Sequence, residues 1–370
     1  MRITLVGTLT GLGGIQRHLT WLAQCLGEEG VQTLALSLEN QKNSHPDIHQ
    51  LQKLSRLGVS VIHCIPYDKN KLCLGFSRLK RLGEITAIID SFSPDVYLAV
   101  GTGWNLFIPP LLSRVKTRRI FYEVMSGVPS GWSDSRWAVR SWFDEVIGQS
   151  PTVANTFAKY FSWQKPISAI PAIPEPLELT ATLPQPVIKT VELGKAKAGL
   201  FSRLVPHKQA FWLVQQWDLL KDVLAELHIH GTGSEEQLIR DYIDSQGIGD
   251  RVKCFGRYPE DQAYVDLLSS YDLTLLPTIG AEGAPLVLLE SMACGVTFVA
   301  YGVGGIPDYA IDNPNVLVVS PEPKAFVSGV RQMAHRLANG QINQVELQQF
   351  YLKHYSYTVL KKAWLSYLCP

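Results

Sequence analysis

Pro277-Thr278-Ile279-Gly280-Ala281-Glu282-Gly283-Ala284-Pro285-Leu286-Val287-Leu288-Leu289-Glu290-Ser291-Met292-Ala293-Cys294-Gly295 is the stretch on which the reading of this chain turns. Gly280 through Ala284 offers no regular element, because glycines and small residues free the backbone, and Pro285 presets φ for a first helical turn. The apolar run from Leu286 predicts a helix. Its first amide N–H groups lack intrahelical acceptors, and with the macrodipole they make a ready site for a phosphate. Glu282 falls in the turn and Glu290 about one turn inside the helix, with seven residues between them. Carboxylates beside a phosphate site are electrostatically awkward unless they accept hydrogen bonds from sugar or ribose hydroxyls. Two of them suggest a nucleotide sugar. Spacing alone leaves equally open a capping glutamate plus a second on a solvated face, so the surroundings must decide.

Upstream of that stretch, Leu273 to Leu276 reads as a strand, one of a series with Ala198 to Ser202, Glu226 to His230, Val252 to Phe255, Thr297 to Ala300 and Asn315 to Val319, with helices between. The loop after the first of these, Arg203-Leu204-Val205-Pro206-His207-Lys208, carries two cations at a strand's carboxyl end. Arg203 can bind phosphate oxygens bidentately and Lys208 adds a point charge, so both could neutralise the charge that builds on a leaving diphosphate. Gly231-Thr232-Gly233 and Gly256-Arg257-Tyr258 follow the next two strands. With the opening stretch, four strand ends carry glycine, cation or carboxylate loops, against which an ordinary solvated surface is a weak alternative.

The N-terminal half repeats the architecture without repeating the sequence. Ile3 to Val6 is a strand, Thr8 to Gly14 a glycine-rich turn, and Leu19, Leu22, Ala23 and Leu26 recur at helical spacing. Gly13 and Gly14 would let backbone amides approach a ligand. Glu39, after the strand Thr33 to Leu38, stands where a dinucleotide site needs an acid, but Gln16 replaces the third glycine of that fingerprint, so a nicotinamide site is not expected. Further strands are predicted at Val59 to Ile65, Val96 to Val100, Arg119 to Val124, Val146 to Gly148 and Ile167 to Ile170. The basic runs Lys69 to Arg81 and Arg114 to Arg119 could meet an anionic membrane or a phosphate-bearing acceptor, with a solvated helix face as the plainer reading. Five prolines between Pro171 and Pro186 mark a linker.

The chain of 370 residues fits two α/β domains. A hydrophobic fraction of 46%, 18% charged residues and a formal net charge of +1 describe a globular protein with no pull toward nucleic acid. Six scattered cysteines form no C-x-x-C pair or zinc spacing and fit a reducing compartment. Met1 to Gly7 is too soon broken by glycine for a signal peptide, and no apolar run reaches membrane-spanning length. A cytoplasmic location, possible also at the inner face of a membrane, is expected.

With these residues in view, the chain resembles the family 4 glycosyltransferases of the GT-B fold over nearly its full length. The resemblance is carried by Gly13-Gly14-Ile15-Gln16-Arg17-His18, by Arg203 with Lys208, by Gly231-Thr232-Gly233, by Val252 to Gly256, by Glu282 to Glu290, and by Met292-Ala293-Cys294-Gly295 followed by Gly304-Gly305-Ile306-Pro307-Asp308. It implies an α/β chain of two Rossmann-like, doubly wound domains facing a central cleft. The domains would be residues 1–170 and 196–350, joined by a linker at 171–195, with a terminal helix at about 351–370 returning to the first. It implies that Glu282 contacts sugar hydroxyls, Glu290 the ribose, and Arg203 and Lys208 the diphosphate. Gly283, Ala284, Pro285 and the amides of Leu286 and Val287 would complete the phosphate site. Gly231 and Gly233 would border the donor, Gly13 and Gly14 would close over it, and Arg257-Tyr258 would hold the base.

Members of that family often carry a histidine after the strand corresponding to Arg119 to Val124; here Met125 or Ser126 takes that place and becomes the expected sugar contact. The family's Pro-Asn-Gly after the interdomain strand is likewise replaced, by Pro171-Ala172-Ile173-Pro174. The function implied is a retaining, metal-independent transfer of a hexose from a nucleotide diphosphate sugar, UDP-glucose or a related UDP-hexose, to a hydroxyl of a glycan or lipid-linked acceptor. No D-x-D pair is present to hold a metal on the phosphates, and no cofactor is expected. The rivals are a nucleotide-sugar 2-epimerase and a nucleotide-sugar-binding protein of weakened catalysis.

Overall fold

The computed structural model describes residues 1–9, 13–38, 48–64, 76–188, 190–280 and 282–370. The chain divides into two compact units, one of Met1–Pro174 with Leu360–Pro370 and the other of Glu175–Val359. Each is an α/β unit around a wholly parallel sheet.

In the first unit the strands are β1 (Arg2–Gly7), β2 (Gln32–Ser37), β3 (Ser60–His63), β4 (Val96–Val100), β5 (Arg118–Glu123), β6 (Glu145–Gly148) and β7 (Ile167–Ala169), in the order β3-β2-β1-β4-β5-β6-β7. The all-apolar run Val96-Tyr97-Leu98-Ala99-Val100 is buried along its length, as a strand with both faces covered requires. Tyr97 and Ala99 share a buried cluster with Phe121 of β5 and with Phe107, Phe143, Phe157 and Phe161 from the helices and their ends.

The second unit holds β8 (Ala196–Phe201), β9 (Leu224–His230), β10 (Val252–Gly256), β11 (Leu273–Leu276), β12 (Thr297–Tyr301) and β13 (Leu317–Val319), in the order β10-β9-β8-β11-β12-β13. The strand order reverses between β8 and β11, which pair Ala198 with Leu273 and Gly199 with Thr274. At such a reversal the loops leaving the two carboxyl ends diverge to opposite sides and open a crevice. The loops concerned are the one with Arg203 and Lys208 and the one with Glu282.

The proline-rich run divides at Pro174. Before it, the segment is fastened inside the first unit: the Ile173 N–H donates to His18 Nδ1 at 3.0 Å, Trp364 Nε1 donates to the Pro171 carbonyl at 3.0 Å, and the Tyr122 hydroxyl donates to the Ile170 carbonyl at 3.0 Å. His18 is fully buried between Tyr122 and Trp364, and burial pushes its imidazole down to about 3, so it stays neutral and accepts. After Pro174, Glu178 accepts hydrogen bonds from the Tyr351 hydroxyl at 2.8 Å and the Tyr357 N–H at 2.6 Å within the second unit. The chain end is two helices, Gln344–His354 and Tyr357–Leu368, and only residues from Leu360 belong to the first unit. Among the described residues no helix is long and apolar enough to cross a membrane.

Candidate active site

The helix expected after the opening stretch spans Leu286–Ala293, and Pro285 stands at its N-cap in extended backbone (φ −60°, ψ 123°) instead of inside the first turn. No side chain caps this start. Its apolar side chains go to the core, and Leu288, Leu289 and Met292 are fully buried. Burial on this scale fixes the axis of the helix and so the direction of its first amides.

Two loops meet beside it. The Ile279 N–H donates to the His207 carbonyl at 2.8 Å and the Thr278 hydroxyl reaches the same carbonyl at 3.3 Å, which ties the loop after β11 to the loop after β8. Across this junction Lys208 Nζ forms an ion pair with Glu282 Oε2, which also accepts the Thr278 hydroxyl at 2.9 Å. The two ion-paired side chains keep only 11% and 17% of their exposure, so the pair is shielded but reachable. Gln209, directly after Lys208, adopts a left-handed φ of 59°. A non-glycine residue in that region is strained, and here it turns the short 3-10 segment Pro206–Lys208 into the next helix. Arg203 is exposed, and its side chain makes no ion pair or hydrogen bond among the described residues.

Glycines fix where these loops lie. Gly304 has φ +56°, and a Cβ there would fall 1.8 Å from the Glu282 carbonyl oxygen, while the Gly305 N–H donates to the Gly283 carbonyl at 2.6 Å. Any side chain at 304 would push the Glu282 turn away. Gly231, with φ +136°, approaches so closely that a Cβ would lie 1.7 Å from the Ser202 carbonyl, and the Leu204 N–H donates to the Thr232 carbonyl at 2.9 Å. Gly231 and Gly233 therefore seat the backbone of the Arg203 loop.

Glu290 is 5% exposed and accepts the Tyr264 hydroxyl at 2.7 Å. Tyr264 is in turn stacked on Tyr258 (5.2 Å between centroids, 26° between planes), so the residue expected near the base and the one expected at the ribose are linked through one buried ring. Arg257 is exposed and pairs with Glu260 at 2.9 Å. Among the described residues no group of three or more His, Cys, Asp or Glu is placed to hold a metal ion.

The second unit matches the family model described as glycosyl transferases group 1 over residues 195–336, which spans β8 through most of the helix Pro323–Ala338. The whole chain superimposes on the crystal structure of HepE from Anabaena in complex with UDP and glucose, with a TM-score of 0.77, 16% identity, and coverage of 100% of this chain and 99% of that one. The second unit thus resembles the group 1 glycosyl transferases, and the chain has the GT-B fold. An exopolysaccharide phosphotransferase of Streptomyces coelicolor is 34% identical over 168 residues, which is 44% of this chain but only 15% of that relative's length. An uncharacterized glycosyltransferase of Haemophilus influenzae is 24% identical over 293 residues, covering 78% of this chain and 77% of its own.

The first unit carries the other expected site residues. Gly13 is the N-cap of the helix Gly14–Glu28, at the carboxyl end of β1; Thr10 to Leu12 and Glu39 lie outside the described residues. Met125 and Ser126 follow β5 and are partly exposed. The Met125 N–H donates to Glu123 Oε1 at 2.7 Å, and the Ser126 hydroxyl accepts the Val128 N–H at 3.4 Å. Beneath them lies a buried ionic cluster that no sequence motif announced. Arg136, fully buried, donates from Nη1 to Glu123 Oε2 at 2.9 Å, from Nη2 to Asp134 Oδ2 at 2.7 Å and from Nη2 to the Val128 carbonyl at 2.7 Å. Burial pushes the Glu123 carboxyl up and Arg136 only partly offsets it. Burial also acts upward on Asp134, but hydrogen bonds from Arg136 and the Ser130 N–H outweigh it and leave that carboxyl at about 2.

Of the two basic runs, Lys69 to Lys71 and their neighbours up to 75 lie outside the described residues. In the other, Arg118 makes two 2.6 Å hydrogen bonds to Glu145 and Arg119 pairs with Asp144 at 3.4 Å. Half of that expected cationic surface is thus neutralised within the fold.

Proposed function

We propose that this protein is a glycosyltransferase that moves a hexose from a UDP-hexose to a hydroxyl of a glycan or lipid-linked acceptor in polysaccharide assembly, with retention at the anomeric carbon and without a metal. The observation that carries the reading is the Lys208–Glu282–Thr278 junction beside the exposed Arg203, at the strand-order reversal and at the uncapped start of the helix Leu286–Ala293. HepE, which shares the fold, was crystallised with UDP and glucose, and this supports the donor class.

In this reading the leaving diphosphate lies over the amides of Leu286 and Val287, with Arg203 and Lys208 countering its charge. Glu282 accepts hydrogen bonds from the sugar, and Lys208 and Thr278 preset its orientation. Glu290, oriented by Tyr264, accepts from the ribose hydroxyls. The bond between the anomeric carbon and the phosphate oxygen breaks, and the acceptor oxygen bonds to the same carbon on the same face. The acceptor's proton passes to the departing phosphate oxygen. Protein cations at the diphosphate do the work that a metal ion would otherwise do.

The test is a screen of UDP-hexoses with simple glycoside acceptors, run in EDTA, with the product's anomeric configuration read by proton NMR. Transfer in EDTA with retained configuration is expected. Activity lost in EDTA and restored by Mg²⁺ or Mn²⁺ would overturn the metal-independent mechanism, and an inverted product would overturn the same-face attack.

A further inference from the structure

Trp132 has the most exposed ring among the described large apolar side chains, at 102% of its reference area, and makes no hydrogen bond or ring contact with any described residue. Yet the loop that carries it is held from beneath. Asp134 accepts the Ser130 N–H at 2.8 Å and the Ser130 hydroxyl at 3.1 Å, its own N–H donates to the Gly131 carbonyl at 3.3 Å, and Trp137 Nε1 donates to that same carbonyl at 3.1 Å. Asp134 is in turn gripped by the buried Arg136, whose guanidinium also lies 5.3 Å from the Phe161 ring centre. Burying two carboxylates and a guanidinium is costly, and a solvent loop whose only task is to connect β5 to β6 has no need of it. The expenditure makes sense if the position of the loop's tip matters.

We propose that Trp132 is a stacking platform for a pyranose ring of the acceptor, carried on a loop that the Glu123–Arg136–Asp134 cluster holds in place. The C–H face of a pyranose is apolar and weakly positive, which suits the negative face of an indole, and the ring's hydroxyls stay in water. The loop's charge pattern agrees. From Glu123 to Val139 the Lys, Arg, Asp and Glu residues are Glu123, Asp134 and Arg136, and all three are buried, so the outer surface is uncharged and offers the exposed hydroxyl of Ser133 beside the ring. An anionic membrane would be met by lysines and arginines, which this loop does not display. The same loop carries Met125 and Ser126, the residues expected to contact sugar. The proposal rests on the reading of the protein as a glycosyltransferase and adds to it the acceptor's point of contact.

The experiment uses the full chain labelled with 5-fluorotryptophan, in which the ¹⁹F resonance missing from Trp132→Phe identifies Trp132. Methyl glycosides of glucose, galactose and N-acetylglucosamine are titrated separately, as are vesicles of phosphatidylcholine with phosphatidylglycerol. Saturable movement of the Trp132 resonance by at least one glycoside is expected, together with an acceptor KM raised about tenfold in Trp132→Ala and largely restored in Trp132→Phe. A resonance that answers only to vesicles, or to nothing in the panel, overturns the proposal. UDP binding by calorimetry is the separating control: wild-type protein that ignores UDP refutes the donor reading, whereas intact UDP binding with an unresponsive Trp132 refutes the platform alone.

Discussion

Replacing Lys208 by methionine keeps the length of the side chain and removes the cation that, with the Thr278 hydroxyl, holds Glu282 Oε2. A hydrogen bond to a charged partner contributes about 1.5–3 kcal/mol, and a fully buried pair broken on one side costs about 3–5 kcal/mol. With side-chain exposures of 11% and 17% the lower range applies, so Lys208→Met should destabilise the ligand-free protein by about 2 kcal/mol, mostly because the Glu282 carboxylate is left half-shielded without a cation. Glu282→Gln, which can still accept from Thr278, should cost about 1 kcal/mol. In the double variant no orphaned carboxylate remains, so its loss should fall short of the sum by about 1–2 kcal/mol. In a unit the size of Glu175–Val359, 2 kcal/mol corresponds to a Tm lower by about 4–8 °C. Scanning calorimetry on the four proteins, repeated with saturating UDP, measures the cycle. UDP should narrow the gap between Glu282→Gln and the wild type while leaving Lys208→Met short of binding energy. Single and double effects that add within about 0.5 kcal/mol would show that the two side chains do not act as a pair, and the preset geometry assigned to Glu282 would fall with them.

Arg203→Ala should leave stability unchanged, since the side chain is exposed and unpaired among the described residues, and should lower donor turnover at least about tenfold; wild-type kinetics would remove its phosphate role. Glu290→Gln should weaken UDP binding, and Tyr264→Phe, which deletes one 2.7 Å hydrogen bond to Glu290, should raise the UDP Kd about fivefold; calorimetry giving wild-type affinity in both would dissociate Glu290 from the ribose. Arg136→Met should cost about 3–5 kcal/mol by stranding Glu123 and Asp134 in the interior, with a far smaller loss in Glu123→Gln; chemical denaturation showing equal losses would contradict the cluster's electrostatic role. The Asp134 carboxyl lies at about 2 in the folded protein against an ordinary 3.8, so its contribution of about 2 kcal/mol is complete above pH 4 and is lost as pH falls toward 2. Acid titration of stability should therefore show a limb in that window which Arg136→Met flattens.

The sequence by itself determined both sheets. Short, mostly apolar runs such as Val96 to Val100 and Leu273 to Leu276 are what strands covered on both faces require, and the helical spacing between them fits parallel crossovers. It also located the helix start at Leu286 and singled out Glu282, Glu290, Arg203 and Lys208, because charged groups crowded at strand ends beside glycines have few other uses. Tertiary structure decided what those groups do to one another. That Lys208 would be ion-paired to Glu282, and that Glu290 would be bound by Tyr264, depends on β8 lying next to β11 and on the helix Asp261–Ser269 packing near Leu286–Ala293, neither of which has a local signal. The same limit explains Gly231, whose close approach to the Ser202 carbonyl has no local signal, and Arg136, an unremarkable arginine in a serine-rich loop until Glu123, 13 positions earlier, is folded beneath it. Period and propensity act within a few residues along the chain, whereas the charges, close approaches and buried hydrogen bonds that shape the site arise between segments brought together only when the sheets close.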